Sequence, residues 1–583
     1  MNLLHMFCPA VSVRFRPVCL SVPLLFAAVL SFCASNLPAQ TFFPEGADVQ
    51  HQCGTPALHR ILQNTETVYR VRQAAADRAY RQQENTRSSG AHPEGPAVVY
   101  TIPVVVHVMH LPGTPVGRDE NISANQIRAG IQHLTEAFRK GHPDYDGISH
   151  NKNIVGADVE FEFQLARRDP AGNPTDGIVR VPTTQSNLNL DKPSNDLALK
   201  NLSRWSTDRY LNIWLVREVC YFSTGNCDIS GYATAPGAHG QPFDGIVQEA
   251  AFFGNSRSDS KMHIHETGHY FNLLHTHEGG CTNNNCLTDG DQVCDTPPDN
   301  DVNGTLCGAT NGVNSCTSDE QDPSVQNPYR PVASGGLGDQ NDHYENFMDT
   351  GNRSCQNGFT TGQKNRMIAA LTLTRSSLIT GNTALIPSTN AALVAFGDDG
   401  ATINESSGLT VSDCRTYTDV SIPVVLYNAP AAPVTIQITV NSGSGTATPG
   451  ADFVLQTPVI NVAPGLTTAN VLLRIFNDRT VENAETVVLT LSSATGNNGN
   501  TGVAPYNSQF VYVIFDNDVA PSGTPPVLFS TVFTNNSGTG VGVNALNPWI
   551  FGSFNAPPTT NVFRIANNGG TCTSGAVSTS RTT

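Results

Sequence analysis

The sequence predicts a multidomain protein in which an α/β (α+β) domain is followed by an all-β sandwich. Three observations indicate this. The apolar, β-branched run from Pro103 to Met109 has the composition of a buried strand. Residues 122–139 carry apolar side chains at helical spacing behind two candidate caps, Ser123 and Asn125. Residues 387–518 are instead rich in Val, Thr and Ile, with Gly, Pro and Asn at short intervals, which is typical of short strands in a sandwich.

The charge and the first residues of the chain favour an exported protein. The net charge of −16 argues against nucleic-acid binding. An apolar run from Leu20 to Ala34 follows Arg14 and Arg16, and the Ala39–Gln40 bond suits cleavage, so residues 1–39 are predicted to be a secretory signal peptide. Since no other stretch is apolar enough to cross a bilayer, we expect a secreted protein without a membrane span.

Residues 40–97 have the composition of a removable propeptide. They are polar and contain a helical stretch rich in Arg, Gln and Glu from Ala57 to Gln83. The segment ends in a Ser-, Gly- and Pro-rich boundary at residues 88–96, and such a composition suits exposure and proteolysis.

One short motif carries the predicted chemistry. On a helix, His265 and His269 lie one turn apart, so both imidazoles can reach one metal ion. Glu266 can accept a proton from water without binding the metal. A third ligand at His275 requires the helix to stop and the chain to turn back, and Asn272 tolerates the left-handed backbone that this turn needs. The motif predicts a zinc site, whereas the alternative is an ordinary surface helix on which these residues coincide.

These residues resemble the metzincin metalloproteases, whose pattern H-E-x-x-H-x-x-G-x-x-H is completed by a methionine turn beneath the metal. Met348 lies in the polar run Glu345–Thr350 and matches that turn, whereas a core-filling methionine would lie in an apolar stripe. Residues 98–386 are similar to the pappalysin (cytophagalysin-type) branch of the metzincins in several separate blocks: Thr101–Val108, Ile122–Arg139, Tyr210–Trp214, Gly290–Pro297 and Phe359–Met367.

The resemblance implies a zinc metalloendopeptidase that acts on proteins or peptides, with Glu266 as general base. It also implies latency, because Cys53-Gly54-Thr55 resembles a family motif in which a propeptide thiolate takes the zinc position that water needs. The alternative for Cys53 is an unpaired cysteine without a role. Some relatives place a tyrosine two residues after the methionine, and here that position holds Thr350.

Ten cysteines remain when Cys53 and three in the predicted signal peptide are set aside, an even number that suits an oxidised, exported domain. The short spacing between Cys220 and Cys227 favours a local disulfide between these two residues. The resemblance implies the pairs Cys281–Cys316 and Cys307–Cys355, which leaves Cys286–Cys294 as an extra clip. Cys414 and Cys572 are either free or paired with each other.

Calcium is the second metal that the sequence suggests. Asp291, Asp295 and Thr296 match positions that help to build calcium sites in related enzymes, although Asp is also a plain turn former. Residues 387–518 resemble the Calx-β family in Gly445–Phe453, Asp478–Glu485 and Asp516–Asp518. A carboxylate group at one end of this sandwich would suit calcium, which prefers oxygen ligands; its members are Glu405, Asp452, Asp478, Glu482, Asp516 and Asp518.

Solvated strand ends are the alternative to calcium in the sandwich, since Asn477 stands where many relatives carry a further acid. Residues 519–583 are rich in Gly, Ser, Thr and Asn, and form either a low-complexity tail or the start of a further module.

Two hypotheses about function follow. The first is a secreted zinc endopeptidase made as a zymogen. The second is a catalytically weak or inactive extracellular adhesion or binding protein that works through its β-sandwich. Glu266 favours the first, because a binding module has no need of that carboxylate. Neither cleavage preference nor oligomeric state follows from the sequence.

Overall fold

The computed structural model describes residues 52–88, 98–141, 156–189, 193–221, 226–300, 313–405, 416–477 and 481–518. The predicted signal peptide, Asp478 and residues 519–583 lie outside the described residues, as do Cys307, Cys414 and Cys572. Within the described part of the chain, no helix is both long and apolar enough to span a membrane.

A mixed sheet built from nine strands of the described residues frames the first part of the chain. In chain order these strands are β1 Gln52–Cys53, β2 Tyr100–His110, β3 Phe161–Leu165, β4 Ile178–Pro182, β5 Asn187–Asn189, β6 Leu211–Val216, β7 Glu218–Tyr221, β8 Asn226–Ala233 and β9 Ile246–Glu249. The sheet order is β3-β2-β6-β9-β8-β7-β5, with β1 added on β8 and β4 on β2. Strand β2 pairs in parallel with β3, β4 and β6 and is buried along most of its length, which explains its continuous apolar run.

Six α-helices lie in the described residues: α1 Thr55–Thr65, α2 Thr67–Ser88, α3 Ala124–Phe138, α4 Pro193–Asn201, α5 Arg257–Tyr270 and α6 Thr361–Ala369. The Ser123 hydroxyl caps α3 by accepting a hydrogen bond from the Gln126 N–H, as its sequence predicted. Helix α3 packs beside α5, where Nδ1 of His133 on α3 lies 2.7 Å from the Ser260 hydroxyl on α5. Both helices share one apolar core with the sheet, to which Ile127, Ile264 and Ile213 contribute.

Loops dominate the described chain between α5 and α6. The described residues from Phe271 to Thr360 contain no α-helix and no strand of a sheet, only short 3-10 turns. Disulfides Cys281–Cys316 and Cys286–Cys294 cross-link these loops, and Cys220–Cys227 joins β7 to β8. Cys355 is also disulfide-bonded.

The second part of the chain is all β. Its strands are β10 Ala392–Phe396, β11 Gly400–Asn404, β12 Thr416–Leu426, β13 Val434–Val440, β14 Phe453–Leu455, β15 Val459–Val462, β16 Thr468–Asn477, β17 Glu485–Gly496, β18 Thr501–Val503 and β19 Gln509–Phe515. They form two sheets, β14-β16-β12-β10-β18 and β11-β19-β17-β13-β15. Alternating side chains from both sheets, such as Ile422, Ile436 and Phe510, enclose one apolar core.

Residues 52–88, called the N-terminal segment below, are integrated into the first part of the chain. Strand β1 pairs in parallel with β8. Leu58, Leu62 and Tyr69 are buried in an apolar cluster that also contains Trp214. The single helical stretch predicted from Ala57 to Gln83 is wrong in one respect, because the chain forms two helices that meet at Glu66, where the backbone is extended.

Charged contacts join the β-sandwich to the α/β part. The Arg180 guanidinium on β4 pairs with Asp398 at 2.7 Å and with Asp399 at 2.6 Å, in the turn between β10 and β11. Asp398 also accepts a hydrogen bond from the Ala124 N–H, so a sandwich residue helps to cap α3. Arg118 stacks on the ring of Phe515, 4.8 Å from its centroid.

We expect Arg180→Ala to lower the free energy of unfolding by about 3 kcal/mol, because it leaves the buried Asp398 carboxylate without its cation. Urea denaturation followed by tryptophan fluorescence measures the change. The exposed Arg209→Ala serves as a matched control and should have little effect. Equal midpoints for the two variants would contradict the assigned role of Arg180.

Candidate active site

Three imidazoles meet at the end of α5. The Nε2 atoms of His265 and His269 lie 3.1 Å apart, and the Nε2 atom of His275 lies 3.1 Å and 3.2 Å from them, respectively. All three residues are buried. The structure therefore brings together the ligand set that the sequence predicted.

The turn after α5 aims His275 back at the helix. Asn272 has a φ of 80°, in the left-handed region, and the Leu273 N–H donates to the carbonyl oxygen of Gly268 at 2.9 Å, which closes the helix end. Asparagine thus occupies the position where the metzincin pattern has glycine, and the backbone reverses there as predicted.

Met348 lies directly against the ligand helix. A Cβ atom on Gly268 would be 2.4 Å from the Met348 sulfur, so the close approach requires glycine at that position. The Met348 N–H donates to the Asn346 side chain at 2.9 Å, which tightens the turn around the methionine. The role of Gly268 was missed from the sequence, because a glycine inside a helix gives no signal of its contact with a residue 80 positions away.

Hydrogen bonds from Nδ1 to carbonyl groups fix the ring orientation and the tautomer of two of these imidazoles. Nδ1 of His265 lies 2.7 Å from the Phe347 carbonyl oxygen, and Nδ1 of His269 lies 2.8 Å from that of Leu273. A carbonyl oxygen only accepts, so each of these Nδ1 atoms carries the proton and each Nε2 keeps its lone pair. Burial lowers the pKa of His265 to about 4, so protonation does not relieve the repulsion between the converging lone pairs.

A metal ion bound between the three Nε2 atoms would remove the repulsion between their lone pairs. Three imidazole nitrogens are ligands that suit zinc. Zn–N bonds of about 2.0–2.1 Å in a tetrahedral site imply N···N separations of about 3.3 Å, close to those between the three imidazoles. Cys53 completes a group of four candidate ligands. Its Sγ lies 3.4 Å from Nε2 of His269, near the value of about 3.5 Å that tetrahedral Zn–N and Zn–S bonds imply.

Cys53 lies beside the three imidazoles, and a cation bound there would favour the thiolate form of its side chain over the thiol. Burial, and then the neighbouring Glu266 carboxylate, raise the pKa of the Cys53 thiol well above its ordinary value. A bound cation would offset both effects. The Thr55 N–H also donates to Sγ at 3.4 Å.

Glu266 is fully buried beside the three imidazoles. Its Oε2 atom accepts a hydrogen bond of 2.8 Å from the Thr55 hydroxyl, whereas its Oε1 atom has no hydrogen-bond partner among the described residues. Burial raises the pKa of Glu266 to about 7, against the lowering effect of the Thr55 hydroxyl. The contact with Thr55 was not anticipated from the sequence.

Two nearby histidines, His263 and His277, have other partners. Nε2 of His263 lies 2.9 Å from the Gly130 carbonyl oxygen on α3. The His277 ring stacks on His275, and its Nε2 lies 3.1 Å from the hydroxyl of Thr350, the residue at the position of the family tyrosine.

The acidic residues proposed for calcium in the loops have protein donors. Asp291 accepts hydrogen bonds from the Thr296 hydroxyl at 2.7 Å and from the Val293 N–H at 2.9 Å. Asp295 accepts from the Thr360 hydroxyl and the Gly362 N–H at the start of α6. Burial raises the pKa of Asp291 to about 7.

The acidic residues of the sandwich that the structure describes form two adjoining groups, and the Glu482 N–H of one donates a hydrogen bond of 2.7 Å to Asp516 of the other. In each group the candidate ligand oxygens lie within 4.8 Å of one another. The groups are Glu405, Asp516 and Asp518, and Asp452, Glu482 and Glu485. Glu485 was absent from the set chosen from the sequence, because it lies on β17 and only the fold brings it beside Asp452.

Comparisons of sequence relate the ligand-bearing segment to known proteins. Residues 195–372 match the model of the Peptidase_M43 family, described as pregnancy-associated plasma protein-A. Extracellular metalloprotease 1 of Coccidioides posadasii is 27% identical over 223 residues, which cover 35% of this chain and 65% of that protein. An extracellular metalloprotease of Sordaria macrospora is 30% identical over 202 residues, which cover 32% and 55% of the two chains. The chain thus spans about half to two thirds of the length of these curated relatives.

The chain also has partial similarity to solved structures. A promirolysin mutant of Tannerella forsythia is 26% identical, covers 57% of this chain and 99% of its own, and has a TM-score of 0.41. Mirolysin in complex with compound 9 is 27% identical, covers 49% and 98%, and has a TM-score of 0.38. The apo form of the Calx CBD1 domain is 18% identical, covers 22% and 99%, and has a TM-score of 0.19.

We expect the purified chain to contain about one metal ion at this site and His275→Ala to lose most of it, because two imidazoles and a thiol remain. Elemental analysis by mass spectrometry measures the content. His277→Ala is the matched control, since that ring stacks on His275 but bonds to Thr350. Metal loss from the control and not from His275→Ala would reverse the assignment.

Proposed function

We propose that the chain contains a metzincin-type metallopeptidase domain and that it is a secreted zinc endopeptidase made as a zymogen. One observation carries the proposal: three imidazole Nε2 atoms converge within 3.1–3.2 Å beside the buried carboxylate of Glu266. We assign residues 40–97 to the propeptide, 98–386 to the protease domain and 387–518 to a Calx-β-like sandwich.

His265, His269 and His275 would hold the zinc ion, and the Phe347 and Leu273 carbonyl groups orient two of these imidazoles by their Nδ1 atoms. A zinc ion held there supplies a Lewis acid that activates a water molecule and polarises the scissile carbonyl group. Met348 packs against the ligand helix at Gly268 and supports it there.

Glu266 is the proton carrier in this proposal. Its Oε1 atom would take the proton of the attacking water and then deliver it to the leaving amine. Burial favours this role, because it raises the pKa of Glu266 toward neutral pH, where a carboxylate both accepts and releases a proton readily. The substrates are proteins or peptides.

The N-terminal segment supports the zymogen proposal. Cys53 would occupy the fourth ligand position as a thiolate, and the Thr55 hydroxyl binds Oε2 of Glu266, so one short segment covers both the metal position and the base. Thr55 is held in turn by the Ala233 N–H, which donates to its hydroxyl oxygen at 2.8 Å.

Secretion is supported by the predicted signal peptide, by the disulfides and by the extracellular relatives. Calcium in this proposal is structural. The acidic groups that contain Asp516 and Asp452, and the loop around Asp291, are the candidate positions.

We expect Glu266→Gln to lower kcat/KM for an unfolded protein substrate by at least about 100-fold, because the amide cannot accept the proton. The measurement follows removal of residues 40–97 from the full chain, with and without a zinc chelator. The exposed neighbour Glu278→Gln is the control. Equal cleavage by wild type and Glu266→Gln would rule out the mechanism, and no cleavage by either would favour the adhesion hypothesis.

We expect the uncut chain loaded with Co²⁺ to show a thiolate-to-cobalt charge-transfer band that Cys53→Ser abolishes, because only the thiolate can supply the transition. Near-ultraviolet absorption measures it. Thr55→Val should keep the band, since its backbone N–H still reaches Sγ. A wild-type spectrum without the band would remove Cys53 from the ligand set.

A further inference from the structure

The asparagine at the helix-ending turn contacts the N-terminal segment through its side chain. Asn272 Oδ1 accepts a hydrogen bond of 2.6 Å from the Gln73 amide, and Asn272 Nδ2 donates one of 3.1 Å to Asp77. Asn272 and Gln73 are both buried. Glycine could form the same left-handed turn without a side chain, so the Asn272 amide contributes these contacts in addition to the turn.

A buried arginine strengthens the same site. Arg366 on α6 donates to the Asn272 carbonyl oxygen at 2.6 Å and to Asp77 at 3.1 Å. Its guanidinium also lies 5.0 Å from the centroid of the Tyr80 ring on α2. Arg366 is only 1% exposed while the segment is in place, so the Arg366–Asp77 pair is shielded from water in the docked state.

Further anchors lie along both helices of the segment. Gln73 accepts a hydrogen bond of 3.0 Å from the Gly237 N–H through its amide oxygen. The side chains of Leu58, Leu62, Tyr69 and Tyr80 are each less than 5% exposed. These contacts are separate from those of Cys53 and Thr55 at the metal site, so the segment is bound at two places.

We propose that Asn272 and Arg366 form a docking site for α2, and that the N-terminal segment stays bound as an inhibitor after the chain is cut within residues 89–97. The proposal rests on the proposed function and specifies its regulation. Activation requires removal or destruction of the docked segment in addition to the cut.

The physical reason is that a cut after α2 breaks none of the contacts named above. It only turns an intramolecular association into an intermolecular one, and so removes the effective concentration that the covalent link supplied. Release of the segment would expose four apolar side chains and separate the buried Arg366–Asp77 pair, and truncation of such pairs chiefly changes dissociation rates.

The test uses the full chain with a specific protease site introduced within residues 89–97. After complete cutting, native gel filtration should show the N-terminal fragment co-eluting with the remainder. The double variant Gln73→Ala/Asp77→Ala should release the fragment at least about tenfold faster. Arg78→Ala is the matched control, since that residue is exposed on the same helix, and it should retain the fragment as wild type does.

A wild-type fragment that separates at once overturns the proposal, and so does a double variant that releases it no faster than Arg78→Ala. Gain of protease activity in step with fragment release supports it. Because retention is measured without activity, a chain that keeps its fragment but stays inactive after the fragment is destroyed supports the docking site and contradicts the proposed endopeptidase.

Discussion

The convergence of three neutral imidazoles is the constraint on which the rest of the site depends. Their Nε2 lone pairs face one another inside the protein, and the carbonyl groups of Phe347 and Leu273 direct two of the Nδ1 protons away from the centre. Such an arrangement is unfavourable without a cation. The left-handed turn at Asn272 and the contact of Gly268 with Met348 both maintain it.

The N-terminal segment covers that same arrangement. Burial and the Glu266 carboxylate disfavour the thiolate form of Cys53 and raise its pKa, and a cation bound by the imidazoles would offset this. Further along the segment the interactions change in kind, from the candidate ligand Cys53 to apolar burial at Leu58 and Tyr69 and to an ion pair between Asp77 and Arg366. The candidate site and the N-terminal segment therefore share the turn that carries Asn272.

Charged side chains join the β-sandwich to the α/β part. Arg180 and Asp398 lie at the junction, where the aspartate also caps α3, the helix that packs against the candidate ligand helix α5. Asp398 contacts the N-terminus of α3, and α3 contacts α5 where Nε2 of His263 lies 2.9 Å from the Gly130 carbonyl oxygen.

The sequence by itself determined the α/β and all-β parts, the ligand positions and Asn272, because helical and strand periods and local turn preferences are encoded within a few residues. The match of residues 195–372 to the Peptidase_M43 model supports the proposed metallopeptidase assignment. Only the tertiary structure decided the contact of Gly268 with Met348, the bond from Thr55 to Glu266, the division of the sandwich acids into two groups and the docking of Asp77 on Arg366. Each of these contacts joins residues that are far apart in the chain. A local sequence pattern does not indicate which distant side chain a residue will contact.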